Sequence, residues 1–177
     1  MKVVNFNVDG IKEVDITKVV TRVKAFVING DNLYIASSNG GCQLPGGHVE
    51  IGEPTTTALI RELREEIGID VNKQEIQGPF FEINHYTKVA DNNNKKSQVL
   101  YYVVKTNQQP DLTKTKYTEH EKQYNFAIHK VNISNAQEYI ESFINDNQQP
   151  INKVIAQEML TALNELKIYL SQGDNNG

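Results

Sequence analysis

Glu62, Glu65 and Glu66 follow a glycine-rich turn, and their spacing puts three carboxylates in one sector of a helix. Like charges at this spacing repel, and each such pair weakens an isolated helix by a few tenths of a kcal/mol. Interspersed lysines would relieve the repulsion, yet only Arg61 and Arg64 stand nearby. Clustered carboxylates of this kind suit a hard divalent cation, which takes oxygen donors. The preceding Leu44-Pro45-Gly46-Gly47-His48 reads as a tight turn whose glycines allow close backbone approach and leave carbonyls free to bind. Glu53 falls just before the helix, where the dipole favours a carboxylate. A charged helical face can also be simply solvated. The register of the glycines, Glu53 and Arg61 with the three glutamates favours a metal site facing a diphosphate.

The helix itself is bounded by Pro54, suited to a first turn, and by Gly68, suited to a left-handed cap. Between them Ala58, Leu59, Leu63 and Ile67 recur at three- and four-residue steps and mark an apolar stripe. The whole stretch resembles the Nudix box, G-x5-E-x7-R-E-U-x-E-E-x-G-U, with U a bulky aliphatic residue. Gly47, Glu53, Arg61, Glu62, Leu63, Glu65, Glu66, Gly68 and Ile69 fill every specified position.

The resemblance implies a hydrolase of nucleoside diphosphates linked to a further group X, with water attacking one phosphorus of the P–O–P bridge. It implies Glu65 and Glu66 as metal ligands with the Gly46 backbone carbonyl, and Mg²⁺ or alternatively Mn²⁺ as the ion. Glu62 is then a further ligand or the base that takes a proton from water. Arg61 is expected to pair with Glu53 and hold loop and helix in register, with Glu53 alternatively facing a metal. In this family the base can instead come from a later loop, and Tyr117-Thr118-Glu119-His120-Glu121-Lys122 offers one. Glu121 and then Glu119 are the candidates there, a solvated acidic loop being the alternative. His120 has no second histidine at ligand spacing and is not expected to bind metal.

Substrate-contacting residues are less sharply marked. Arg22 and Lys24 alternate on a strand and could reach phosphates, although an exposed sheet face accounts for them equally well. Aromatic residues between Phe80 and Tyr86 could stack on a base or fill the core. Tyr86 lies seventeen residues beyond Ile69, as does the downstream tyrosine of dinucleoside polyphosphate hydrolases that this chain resembles. Two other readings remain: a catalytically silent nucleotide sensor and an isoprenoid diphosphate isomerase. The isomerase resemblance would require a tryptophan, and this chain has none.

The chain has 177 residues, enough for one domain with a full core, expected over 1–173 with a frayed tail at 174–177. A net charge of −4 argues against non-specific binding to duplex nucleic acid. Metal ions could still give an acidic protein the local charge to take a small-molecule nucleotide. One cysteine, Cys42, excludes an internal disulfide. No apolar run marks a secretory signal or a membrane span, so a cytoplasmic protein is expected. A homodimer is compatible with the chain but not required by it.

The elements that must position the box read as follows. Val3–Val8 and Lys18–Asn29 are strands, and Asn29-Gly30-Asp31-Asn32 turns into a third at Leu33–Ala36. Phe80–Val89 and Gln98–Thr106 are extended runs separated by a polar turn, Asp91–Lys96. Ser134 opens a helix through a capping box with Gln137. Pro150 starts a long helix with Ile151, Val154, Ile155, Met159, Leu163, Leu166 and Leu170 on its buried side. This order implies a Nudix-type α/β/α sandwich around a mixed β-sheet, with the late helices as packing layers.

Overall fold

Successive side chains of a strand point to opposite faces, so a doubly apolar strand needs a helix on each side. The strands here meet that requirement. In the computed structural model, residues 1–90, 93–123, 125–146 and 149–174 are described. The elements are β1 (Lys2–Phe6), β2 (Ile16–Asn29), β3 (Asn32–Ser38), β4 (Gly41–Gln43), α1 (Thr55–Ile67), β5 (Ile76–Ala90) and β6 (Asn93–Lys105). They continue with α2 (Glu119–Gln123), β7 (Ala127–Asn132), α3 (Ala136–Asp146) and α4 (Pro150–Asp174). The sheet is mixed, ordered β1-β5-β6-β2-β3-β4, with β7 on β3. β1 runs parallel to β5, and β2 parallel to β6, whereas the β5–β6 and β2–β3 pairs are antiparallel.

On one face Val23, Ala25 and Val27 of β2 and Leu100, Tyr102 and Val104 of β6 pack with Leu59, Leu63 and Ile67 of α1. On the other, Phe26, Ile28, Tyr101 and Val103 pack with Met159, Leu163 and Leu166 of α4. Each fully buried leucine or isoleucine contributes about 1.5–3 kcal/mol, so α1 is held rigidly by its apolar stripe. Gly68 caps it in the left-handed conformation, φ 67°, and donates its N–H to the Arg64 carbonyl at 3.1 Å. Among the described residues no helix is long and apolar enough to cross a membrane.

Several expectations need correction. β1 ends at Phe6 rather than Val8. Asn93–Lys96 is not turn but the start of β6, because Ile16–Val19 of β2 and Tyr86–Ala90 of β5 pair with it on either side. α3 is preceded by a short 3-10 turn, Ile133–Asn135. Its opening N–H, from Ser134, is taken by the Asn132 side chain at 3.0 Å instead of by a Ser134–Gln137 box. Ile151 and Val154 of α4 are not core; they are 60% and 42% exposed. Of the expected tail, 175–177 lies outside the described residues.

Candidate active site

β3 pairs with β2 only at Asn29↔Asn32 and Ile28↔Leu33. Beyond that point the glycine turn takes the place beside β2. Val23 N–H donates to the Gly47 carbonyl at 2.9 Å, Ala25 N–H to Pro45 at 3.0 Å, and Val49 N–H to Thr21 at 3.0 Å. So close an approach needs glycine. At Gly46, φ 124°, a Cβ would lie 2.2 Å from the Val23 carbonyl oxygen. At Gly47 it would strike the Glu62 carboxylate, 2.5 Å from Cδ.

Arg61 ties this turn to α1. Its Nε and Nη2 reach Glu53 Oε1 and Oε2 at 3.1 and 3.0 Å, and Nη2 also reaches the His48 carbonyl at 2.9 Å. Nη1 meets Glu62 Oε1 at 2.8 Å and, more loosely, Glu65 Oε2 at 3.4 Å. The Arg61 hydrogen bonds hold the Glu53 carboxyl below its ordinary range, and Glu53 in turn raises the guanidinium. Glu62 moves the other way, because burial outweighs the opposing pull of Arg61. Glu66 is buried and accepts the Gly46 N–H at 2.6 Å. The Lys24 ammonium donates to the Gly46 carbonyl and to Gln43 Oε1, the latter at 3.3 Å.

Gly46, Gly47, Glu62 and Glu66 form one end of a cleft of about 780 Å³, with Arg22 and Lys24 on its sheet side. The cleft continues over Val99 and Tyr101 of β6 to Ile151, Val154 and Glu158 of α4. This is why Ile151 and Val154 are exposed. Glu158 Oε1 lies 2.8 Å from His85 Nε2. Burial lowers the Arg22 pKa, against the counter-pull of Glu158. Burial also raises the Tyr101 hydroxyl, with Glu158 adding to it.

The expected site residues are distributed unevenly. Glu62, Glu66, Gly46, Arg22 and Lys24 share the cleft, and Glu53 and Arg61 brace it from behind. Glu65 instead lies with Arg61, Arg64 and Lys114 on a separate surface hollow. Tyr86 does not line the cleft: its hydroxyl donates to Glu13, and Lys96 lies 5.4 Å over its ring. Its neighbours His85 and Thr87 point into the cleft instead, as alternation requires. Glu119 is 91% exposed and pairs with Lys122 at 2.7 Å, while Thr118 reaches the cleft. The side chains of His120 and Glu121 lie outside the described residues. Phe80 and Phe81 are core. Cys42 is buried, its thiol pushed up to about 12 by desolvation, and it does not line the cleft.

Sequence reasoning missed Glu158, His85 and Tyr101. Glu158 carried a signal, since it stands seven residues after Ile151 and three after Ile155, inside an otherwise apolar stripe.

Among the described residues no three histidine, cysteine or acidic side chains converge as a ready ligand set. Each carboxylate is turned to an N–H or guanidinium partner. The donors nevertheless fit a hard divalent cation: Glu62 and Glu66 present oxygen at one end of the cleft, and the Gly46 carbonyl there already draws the Lys24 ammonium.

A family model described as NUDIX domain matches residues 19–145. Among solved structures, the chain is similar to an Ap4A hydrolase binary complex from C. elegans at 15% identity. That match covers 86% of this chain and 98% of that one, with a TM-score of 0.52. It is similar to the MutT protein from Bacillus halodurans at 17% identity, over 80% and 82% of the two chains, TM-score 0.52. The MutT protein from Methanosarcina mazei Go1 matches at 16% identity over 83% and 96%, TM-score 0.50. At these identities the likeness is one of fold. No curated protein matches the chain in sequence.

Proposed function

We propose, from the premise that this chain belongs to the NUDIX domain family, that it hydrolyses the diphosphate linkage of a nucleoside diphosphate joined to a further group. The observation that carries this reading is the meeting of Glu62, Glu66 and the Gly46 carbonyl with Arg22 and Lys24 at one end of the cleft. Oxygen donors for a cation and cations for an anion stand side by side there.

Glu62, Glu65, Glu66 and the Gly46 carbonyl would hold Mg²⁺ or Mn²⁺, which supplies positive charge at the non-bridging oxygens and lowers the pKa of the attacking water. Glu65 joins this set by turning from its loose contact with Arg61, 3.4 Å, which costs little on the surface. Arg22 and Lys24 orient the phosphate groups from the sheet side. Glu62, pressed against Gly47, would accept the proton of water; Glu121, which falls within α2 rather than in the expected loop, is the alternative base. Arg61 and Glu53 touch no substrate; they fix the turn against the helix so that Glu62 and the Gly46 carbonyl keep their relative places. Ile151 and Val154, on the α4 side of the cleft, would face an apolar portion of the substrate.

The test is product analysis after incubation with Mg²⁺ or Mn²⁺, with Glu65→Gln as the control. The panel holds ADP-ribose, sugar nucleotides, dinucleoside polyphosphates and nucleoside triphosphates. Cleavage of one class, absent in the control, is the expected result. Tight nucleotide binding without turnover of any substrate would instead assign a sensing role.

A further inference from the structure

The cleft face of β2 and β6 carries more positive charge than a scissile diphosphate requires. Arg22 and Lys24 of β2 line the cleft together with Ser97, Val99 and Tyr101 of β6. Strand alternation continues the same face outward to Lys18 and Lys95, which are direct partners in the parallel register. Like charges set opposite one another on neighbouring strands are destabilising. The opposite face of the hairpin solves this problem: Lys96 is neutralised by Glu13 at 2.9 Å. Among the described residues neither Lys18, Lys95 nor Arg22 has an ion-pair partner within 4.0 Å.

The cations also share one face of the sheet. His48 is bridged to Arg22 by backbone pairing. Lys18 to Lys24 spans six residues, about 20 Å at ~3.3 Å per residue, well beyond the reach of two phosphates. In a chain of net charge −4 this lane is a local exception that side-chain packing does not explain.

We propose that Lys18, Lys95, Arg22 and Lys24 form a track for a chain of phosphates, and that the substrate cleaved at the box carries further phosphates beyond the scissile diphosphate rather than a neutral sugar. This rests on the pyrophosphohydrolase reading, which supplies the cleavage. The track orders the polyanion along β2 so that one diphosphate unit lies at Gly46 and the rest extends toward the β5–β6 tip. Glu158 faces Arg22 from α4 and bounds the track on that side.

The test uses the full chain, with a linear inorganic polyphosphate long enough to span the lane and with pyrophosphate as probes in calorimetric titrations at fixed Mg²⁺. The variants are Lys95→Gln and the double Lys18→Gln/Lys95→Gln, near the starts of β6 and β2 and outside the reacting groups. The long polyphosphate is expected to bind at least tenfold more tightly than pyrophosphate. The double variant should lose about tenfold for the long polyphosphate only, whereas Lys18→Arg/Lys95→Arg should keep it. In turnover assays the double variant should raise KM for a dinucleoside hexaphosphate while leaving kcat, and both constants for a nucleotide sugar, unchanged. Equal binding of the two probes, or a double variant indistinguishable from the unaltered chain, overturns the track. Loss of long-polyphosphate binding in the double variant, in a chain that hydrolyses nothing, upholds the track and overturns the hydrolase reading. Hydrolysis that does not discriminate between the substrates does the reverse.

Discussion

Gly47→Ala isolates the placement of Glu62 from the stability of the fold. The added Cβ would stand 2.5 Å from Glu62 Cδ and Oε1 and 2.6 Å from Oε2. Ordinary contact begins near 3.4 Å, so the carboxylate must recede by about 0.9 Å (3.4 − 2.5). The helix cannot do this for it, because Leu59 and Leu63 on either side are fully buried. The side chain must therefore turn, stretching its 2.8 Å contact with Arg61. A misplacement of about 1 Å at a reacting group costs about 10²-fold in rate. Stability should hardly change. Gly47 does not have the positive φ that would strain an alanine. The loss of a partly exposed ion pair, about 1 kcal/mol at most, is offset by the lower entropy of the unfolded alanine chain, about 0.4–1 kcal/mol. Single-turnover rates with Mg²⁺ and thermal unfolding would be measured on the same preparations, with Gly46→Ala as the contrast. There the Cβ meets the Val23 carbonyl at 2.2 Å at φ 124°, backbone against backbone, and Tm should fall by several degrees or more. A Gly47→Ala enzyme within about threefold of the original rate would refute the dependence of catalysis on Glu62 standing where it does.

Three further outcomes are expected. Arg61→Lys keeps a charge but cannot span Glu53, Glu62 and the His48 carbonyl at once. It should lower stability by about 2 kcal/mol, about 4–8 °C in Tm; a Tm within a degree of the original would refute the clamp. Glu53 has its carboxyl held below the ordinary 4.5, so its stabilisation is complete above 4.5 and is lost as pH falls through the lower folded value. The Tm gap between the original chain and Glu53→Gln should accordingly be widest near neutrality and close in acid, and a gap independent of pH would contradict the assignment. Cys42, buried with its thiol pushed up to about 12, should resist alkylation in the native chain at pH 8 and react fully on unfolding. Rapid native labelling would show that the sheet around β4 opens readily.

The box was legible because its geometry is local. Helical periodicity alone brings Glu62 and Glu66 to one side, and the turn that meets them is only a few residues upstream. The α1 cap at Gly68 and the start of α4 at Pro150 were equally local. Tyr86 failed for the opposite reason. Which face a strand residue occupies depends on register with β6 and β1, and one step along β5 separates Tyr86 from the cleft-lining His85 and Thr87. The polar run Asn93–Lys96 suggested a turn by composition, but pairing on both sides satisfied its backbone as strand. The far wall of the cleft depends on how α4 crosses the sheet, and α4 starts only at Pro150, long after the box ends at Ile69. No periodicity announces that Ile151 and Val154 will border a cleft rather than a core. β4, three residues long, has too little pattern to be read at all.

The segment after β6 is sutured to the end of α1. Asp111 N–H donates to the Ile67 carbonyl at 3.1 Å, and Lys116 N–H to the Glu65 carbonyl at 2.8 Å. A Cβ on Gly68 would sit 1.9 Å from the Asp111 carbonyl oxygen, so the two backbones touch with no room for a side chain between them. Two stitches and a bare glycine thus make the last turn of the carboxylate helix the mooring for the stretch that leads, one residue past Thr118, into α2. A substitution at Gly68 would reach further than the helix cap it ends. By casting off the 111–116 stretch it would set the α2 approach adrift from the helix that carries Glu62 and Glu66, though neither carboxylate had itself been changed.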